Sequence, residues 1–326
     1  MVEFSFSHTD CFEFIKDLAA HLNAPVKNET LLFPKGFASG YMKAFKLGNG
    51  LQGTILDGKL DQDFLFQRKK NNFPTYILHF DQMMLTDELV ATFGKEQVKH
   101  SNEIRSAVLL TCSLFDFSYY MKAGSASKSL TVNIDEEWLT KYLAIDSTDR
   151  LLRRYLRLRS SRLNFEPMDA EYRKLLNEIF DEEQNHPLKN IILENRVSLL
   201  VELFFTRMHA RMSAEDTELP VSNEEMQRLM LVESRLVEDF TKSPPPVKEL
   251  ARLAAMSESK FKSLFKKVYG NNPYEYFQKN RMFRAEYLLR TKKYSVKEVG
   301  AMLGYTNLSN FTIAFKKEFG IVPSLV

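Results

Sequence analysis

The chemistry most visible in this chain is a pair of lysines set behind a phenylalanine, and it occurs twice. Phe261 to Pro273 reads Phe-Lys-Ser-Leu-Phe-Lys-Lys-Val-Tyr-Gly-Asn-Asn-Pro, and Phe311 to Pro323 reads Phe-Thr-Ile-Ala-Phe-Lys-Lys-Glu-Phe-Gly-Ile-Val-Pro. An offset of 50 aligns Phe261 with Phe311, Phe265 with Phe315, Lys266 and Lys267 with Lys316 and Lys317, Gly270 with Gly320, and Pro273 with Pro323. Upstream, Val247-Lys-Glu-Leu250 returns as Val296-Lys-Glu-Val299 at an offset of 49. Ammonium groups bind phosphate without reading sequence, whereas hydroxyls and longer side chains on a helix can reach base edges in a groove. Lys266, Lys267, Lys316 and Lys317 are therefore candidates for phosphate contact, with a merely solvated side chain as the alternative for each.

Such groups need helices to position them. In the first copy Val247, Leu250 and Ala251 share one helical face. Ala255-Met256 makes a turn, and Ser257 can cap the helix that follows. That helix buries Phe261, Leu264, Phe265 and Val268 and turns Ser259, Lys262, Ser263 and Lys266 outward. In the second copy Val296, Val299 and Gly300 face inward, Gly304-Tyr305 turns, and Thr306 is the expected cap. Phe311, Phe315 and Phe319 are expected inside, and Leu308, Ser309, Thr312, Ile313 and Lys316 outside. The spacing predicts helix-turn-helix units over 247–268 and 296–319. Ser259, Lys262, Ser263, Ser309, Thr312 and Ile313 are the candidate base contacts. Between the units, Pro273 to Leu289 reads as one helix of about 25 Å. That length approaches the roughly 34 Å of one turn of B-DNA, so one chain can reach two successive major-groove segments.

Charge supports this division. Residues 241–326 carry 16 Lys and Arg against 6 Asp and Glu, whereas the rest of the chain carries 29 against 36. A basic tail on an acidic body points to a polyanionic partner. The length of 326 residues suits two or three domains. No apolar run approaches the roughly 18 residues of a membrane span, and Met-Val-Glu-Phe-Ser-Phe lacks a secretory pattern. With Cys11 and Cys112 as the two cysteines, a reducing, cytoplasmic setting is expected.

Ahead of the repeat the texture changes twice. Residues 1–134 read as an opening helix, about Asp10 to Leu22, then many short strands with hairpin signals at Gly48-Asn-Gly50 and Asp57-Gly58. A barrel or sandwich is expected there. Residues 135–212 read as helical, with Asp135 as a cap, helices near 169–180 and 188–212, and the latter as the candidate dimer helix. Another helix over 223–240 runs to the stiff Pro244-Pro-Pro246. Arg150, Arg153, Arg154, Arg157, Arg159 and Arg162 form a basic cluster, read either as an anion site or as a solvated face.

The segment 223–326 resembles the C-terminal DNA-binding domain of the AraC-type transcription regulators. The resemblance rests on Leu250-Ala251, Met256-Ser257, both Phe-Lys-Lys blocks, Tyr276, Arg281, Ala285, Leu288-Leu289, Gly304-Tyr305, Phe319-Gly320 and Pro323-Ser324. It implies two helix-turn-helices bridged by a long helix, a cupin-like β-barrel in front, and a helical dimerisation segment, an α+β chain altogether. The partners implied are double-stranded promoter DNA, a small-molecule effector, a second copy of the chain, and RNA polymerase. Family members often carry arginine or glutamine on the outer face of the second recognition helix, where Leu308 and Ile313 stand here. Apolar side chains there can touch a thymine methyl but cannot bond bidentately to guanine.

Two other readings compete: a metal-dependent cupin-like enzyme tethered to DNA, and a ligand-independent dimeric regulator. The front region holds His8, His21, His79 and His100, with no paired metal motif, and the chain has no nucleophile or nucleotide fingerprint. No catalytic residue, metal or cofactor is therefore assigned. His79, between Leu78 and Phe80, points opposite to its neighbours on a strand.

Overall fold

Period-two alternation over the first 134 residues folds into two β-sheets, and the helices within 170–182 and 223–319 assemble around the repeat. The computed structural model describes residues 1–87, 89–94, 96–100, 104–144, 166–182, 188–213 and 221–326. The arginine cluster from Arg150 to Arg162 lies outside the described residues. The chain divides into two compact units, 1–166 with 188–219, and 167–187 with 220–326. The helical stretch expected over 135–212 is thus shared between the units rather than standing as a segment of its own.

The first unit contains β1 (Val2–Phe6), α1 (Cys11–His21), β2 (Val26–Lys27), β3 (Thr30–Leu32), β4 (Ala38–Lys46), β5 (Gln52–Leu60) and β6 (Phe64–Arg68). It continues with β7 (Thr75–Met84), β8 (Leu89–Phe93), β9 (Glu96–His100), β10 (Ile104–Cys112), β11 (Phe117–Met121), β12 (Ala126–Asp135) and α2 (Glu136–Leu143). One sheet has the order β1-β6-β11-β8-β9, and the other runs β10-β7-β12-β5-β4-β3-β2. From β5 to β12 the strands divide as β5, β7, β10 and β12 in one sheet and β6, β8, β9 and β11 in the other. This is a double-sheet jelly-roll order. The expected barrel is accordingly an open pair of sheets; among the described residues the strands do not join into one closed barrel.

Asp10 starts α1 by accepting from the N–H groups of Phe12 and Glu13 at 2.9 and 3.0 Å. The helix buries Cys11, Ile15, Leu18 and Ala19 beside Phe4 and Phe64. Phe6, Phe14 and Phe66 add ring contacts of 4.8 to 6.1 Å around it. Asp135 caps α2 through the Trp138 N–H at 2.7 Å.

The second unit begins with α3 (Ala170–Glu182). The chain then returns to the first unit as α4 (Lys189–Ser213). The second unit resumes with α5 (Asn223–Val237), α6 (Val247–Leu253), α7 (Glu258–Tyr269), α8 (Pro273–Arg290), α9 (Val296–Met302) and α10 (Leu308–Phe319), ending in a 3-10 turn, Pro323–Leu325. Two cores form. Leu229, Val232 and Leu236 of α5 pack with Leu250, Phe261, Phe265, Tyr276 and Phe277 in the first. Met282, Ala285, Leu288 and Leu289 pack with Val299, Leu303, Phe311 and Phe315 in the second. Helix α8 serves both, giving its first half to one core and its second half to the other. Its start is fixed by Pro273 in the first turn and by a capping box between Asn272 and Glu275.

Candidate DNA-binding surface and effector cavity

In each helix-turn-helix the outward side chains are fixed by what the opposite face buries. Phe261 and Phe265 of α7 are fully buried, so Ser259, Lys262, Ser263, Lys266 and Lys267 are carried to the exposed side. Phe311 and Phe315 of α10 are likewise buried, and Ser309, Lys316 and Lys317 are exposed. Ile313 is 66% exposed and Leu308 44%, an unusual outlay of apolar surface that marks this face as distinct from its counterpart. Thr312 is half-buried. Phe319, expected inside, is half-buried too: its ring lies 4.6 Å from Phe315 at the edge of the second core.

The two turns differ by one residue. Ala255 and Gly304 both take a left-handed conformation, with φ of 51° and 72°. The following amides close on Ala251 O at 3.0 Å and Gly300 O at 2.9 Å. Ser257 then caps α7. The cap of α10 is Asn307, not Thr306: its carboxamide oxygen accepts from the Ser309 N–H at 2.8 Å. Thr306 is the extra residue that shifts the repeat offset from 49 to 50, and it lies one position too early to reach the first free amides. Gly304 is doubly constrained. A Cβ there would lie 2.1 Å from Thr241 O, in a backbone region that L side chains rarely adopt.

Helix α8 ties the second turn to the first core. Arg281 on α8 is buried, donates Nε–H and Nη2–H to Leu303 O, and places its guanidinium 4.0 Å from the Tyr305 ring centre. Two N–H groups on one carbonyl hold the end of α9 and the turn after it against α8. Helix α3 braces the same strut. Arg173 reaches Glu233 of α5 at 2.6 Å, and Tyr276 of α8 donates to the same carboxylate at 2.8 Å. Burial works against the Arg173 charge, but Glu233 and Tyr276 outweigh it and hold the guanidinium firmly protonated. Lys174 pairs with Glu286 of α8 at 2.8 Å.

A second candidate site lies in the first unit, as a cavity of about 160 Å³ between the two sheets. Its walls follow the strand period: Phe64, Phe66 and Arg68 of β6, Ile77, His79 and Asp81 of β7, and Phe117 and Tyr119 of β11 alternate inward. His79 lies between two threonine hydroxyls, Thr111 at 3.4 Å and Thr131 at 3.3 Å. Burial, helped by the Arg68 charge, pushes its pKa down to about 3, so the imidazole is neutral. Among the described residues no group of three or more His, Cys, Asp or Glu side chains is placed to hold a metal.

Comparison with known proteins places both regions. Residues 250–326 match the helix-turn-helix domain family, and residues 39–219, more than half of the chain, match the regulatory protein PchR N-terminal domain family. The HTH-type transcriptional regulator AlkR of Acinetobacter baylyi is 32% identical over 84 residues, which are 26% of this chain and 28% of AlkR. The chain belongs to the AraC-type transcription regulators. The DNA-binding domain of AdpA, solved with a target DNA, is 28% identical over 30% of this chain and 87% of that one, with a TM-score of 0.28. Unsaturated fatty acid-bound ToxT of Vibrio cholerae is 12% identical over 82% of this chain and 95% of that one, with a TM-score of 0.29. The chain spans under a third of the length of AlkR.

Three features of this AraC-type regulator escape a reading of the sequence that stops at the repeat. Asn307 was available from the 50-residue offset, which pairs it with Ser257. Arg68 was available from alternation, since it shares a strand face with Phe64 and Phe66. Arg173 carried no local signal, because its partners lie 60 and 103 positions downstream.

Proposed function

We propose that this AraC-type transcription regulator reads promoter DNA mainly through the first helix-turn-helix and holds it with both. Ser259, Lys262 and Ser263 of α7 are the main base readers on this reading. Ser309, Thr312 and Ile313 of α10 contribute a thymine-methyl contact and shape. Lys266, Lys267, Lys316 and Lys317 grip phosphate. The observation that carries the proposal is the exposure of all four lysines at matched positions on two helices mounted on one strut, the 18-residue α8. At about 27 Å, that strut suits two nearby major-groove segments. The test is binding of duplex DNA across a salt series. Replacing Lys266 or Lys316 by alanine should weaken binding almost uniformly across sequences and lower the salt slope by about one for each lysine. An unchanged slope in both variants would end the phosphate assignment.

The first unit is the regulatory part on this reading. Its jelly-roll order supports a cupin-like classification, and its cavity supports binding of a small effector. Exposed Leu188, Ile191 and Leu199 along α4 and the residue before it support a homodimer through that helix. Sedimentation of the full chain, with and without Leu199→Asp, tests the dimer: the substitution should leave monomer. No described helix is long and apolar enough to cross a membrane, and a cytoplasmic, DNA-bound protein fits the family.

A further inference from the structure

The cavity of the first unit contains a buried cation without a matching anion. Arg68, at the end of β6, is 3% exposed and lines the cavity. Its Nη1–H donates to Thr111 Oγ1 and its Nη2–H to Cys112 O, both at 3.0 Å. Both acceptors are neutral. Its Nε–H is buried and has no partner. Among the described residues no carboxylate forms an ion pair with it. Asp116 lends some favourable field, but one of its oxygens accepts from the Lys70 N–H at 2.8 Å. Burial pushes the Arg68 pKa down to about 10, which still leaves it charged at neutral pH. A buried, charged guanidinium with unused donors is destabilising unless an anion meets it.

We infer that the cavity is built for a small, mostly apolar monocarboxylic acid of about one ring, with Arg68 as the group that receives its carboxylate. The inference rests on the reading of the cavity as the effector site. Three features select that class. First, guanidinium N–H groups match a carboxylate in paired charge-assisted hydrogen bonds, and each terminal nitrogen of Arg68 keeps one N–H beyond its bond to Thr111 or Cys112. Second, the adjoining walls are ring faces: Phe117 lies 5.5 Å from the Arg68 guanidinium, and Phe66 and Tyr119 stack 4.6 Å apart beyond it. Third, about 160 Å³ is close to the volume of an apolar cavity that admits benzene, and too little for a long acyl chain.

Asp81 also lines the cavity, two residues along β7 from His79, and its charge acts on Tyr119. Neutral His79 adds no competing charge, and its two ring nitrogens face the Thr111 and Thr131 hydroxyls.

The experiment is calorimetric titration of the full-length protein with benzoate, phenylacetate and cyclohexanecarboxylate, each against its neutral primary amide. At least one acid should bind about 10- to 100-fold more tightly than its amide, the range expected of a charge-assisted pair. Arg68→Met should bring that acid down to the affinity of its amide and leave the amide within about twofold, and Arg68→Lys should keep part of the difference. If Arg68→Met does not fold, the acid-to-amide ratio of the unaltered protein decides alone. Amides binding as well as acids would overturn the role of Arg68 while keeping the cavity as an effector site. Binding of neither acids nor amides would overturn this inference and the effector reading together.

Discussion

The two helix-turn-helix units are copies in what they bury and differ in part of what they expose. Phe261 and Phe265 correspond to Phe311 and Phe315, all fully buried. Ala251 corresponds to Gly300, and left-handed Ala255 to left-handed Gly304. Outside, Ser259, Lys262 and Ser263 face the solvent on α7, whereas Leu308 and Ile313 do so on α10. A packed turn between two short helices has few solutions, so the interior repeats. The groove face has no such constraint and is free to specialise. Outside, the lysine pairs repeat, as do Ser259 with Ser309 and Lys248-Glu249 with Lys297-Glu298; phosphate looks the same beside every base pair, so a repeated grip suits both copies.

The strongest way to break this equivalence is to open the two cores. Phe265→Ala and Phe315→Ala should each destabilise the second unit by about 3–5 kcal/mol. Urea unfolding would measure both. A difference above about 2 kcal/mol between them would mean that the repeat is not energetically symmetric.

The turns should then separate the copies. Gly304→Ala sets a Cβ against Thr241 O and should destabilise by more than about 2 kcal/mol, from clash and left-handed strain combined. Ala255→Gly, at a left-handed residue without that close approach, should stay within about 1 kcal/mol of the original. Equal losses in the two turns would remove Thr241 from the explanation.

On DNA the contrast should appear as specificity against grip. Lys262→Ala or Ser263→Ala should change which base is preferred at a contacted position by about 1–3 kcal/mol. Ile313→Ala should relax a preference for thymine by less, roughly 1 kcal/mol, since it removes contact and no hydrogen bond.

The smallest difference is in acid. Lys260 of α7 pairs with Glu225 of α5 at 2.6 Å, and together with the Ser222 N–H it draws the Glu225 carboxyl down to about 2. Because the folded value is depressed, this tie contributes fully above the ordinary carboxylate value near 4.5 and is lost as pH falls towards 2. Comparing Glu225→Gln with the original chain across that window should show a gap at pH 6 that closes by pH 2. A constant gap would assign Glu225 to capping alone.

Much of the second unit was legible because its determinants are local. Helix starts at Ser257 and Pro273, the turns at Ala255 and Gly304, and the buried phenylalanines all follow from spacings shorter than two helical turns. The error at Thr306 came from carrying the upstream offset through the turn, where one residue is inserted. The first unit was legible only as many short strands. Its jelly-roll order depends on pairings such as β12 with both β5 and β7, which join residues more than 40 positions apart. For the same reason Arg68 looks like an ordinary strand-end cation until Thr111 and Cys112 are folded beside it. Helix α3 reads as part of the helical segment 135–212, yet the buried Arg173–Glu233 pair and Tyr276 make it part of the second unit.

The central claim is that one unit reads and both units hold. Its most direct test is the affinity of the full chain for every single-base substitution across its bound site at fixed salt. The predicted result is a cluster of positions costing about 1–3 kcal/mol per mismatch in one half of the site, and a shallow, thymine-biased profile in the other. Two halves of equal depth, or a profile that Lys262→Ala leaves unchanged, would contradict the account.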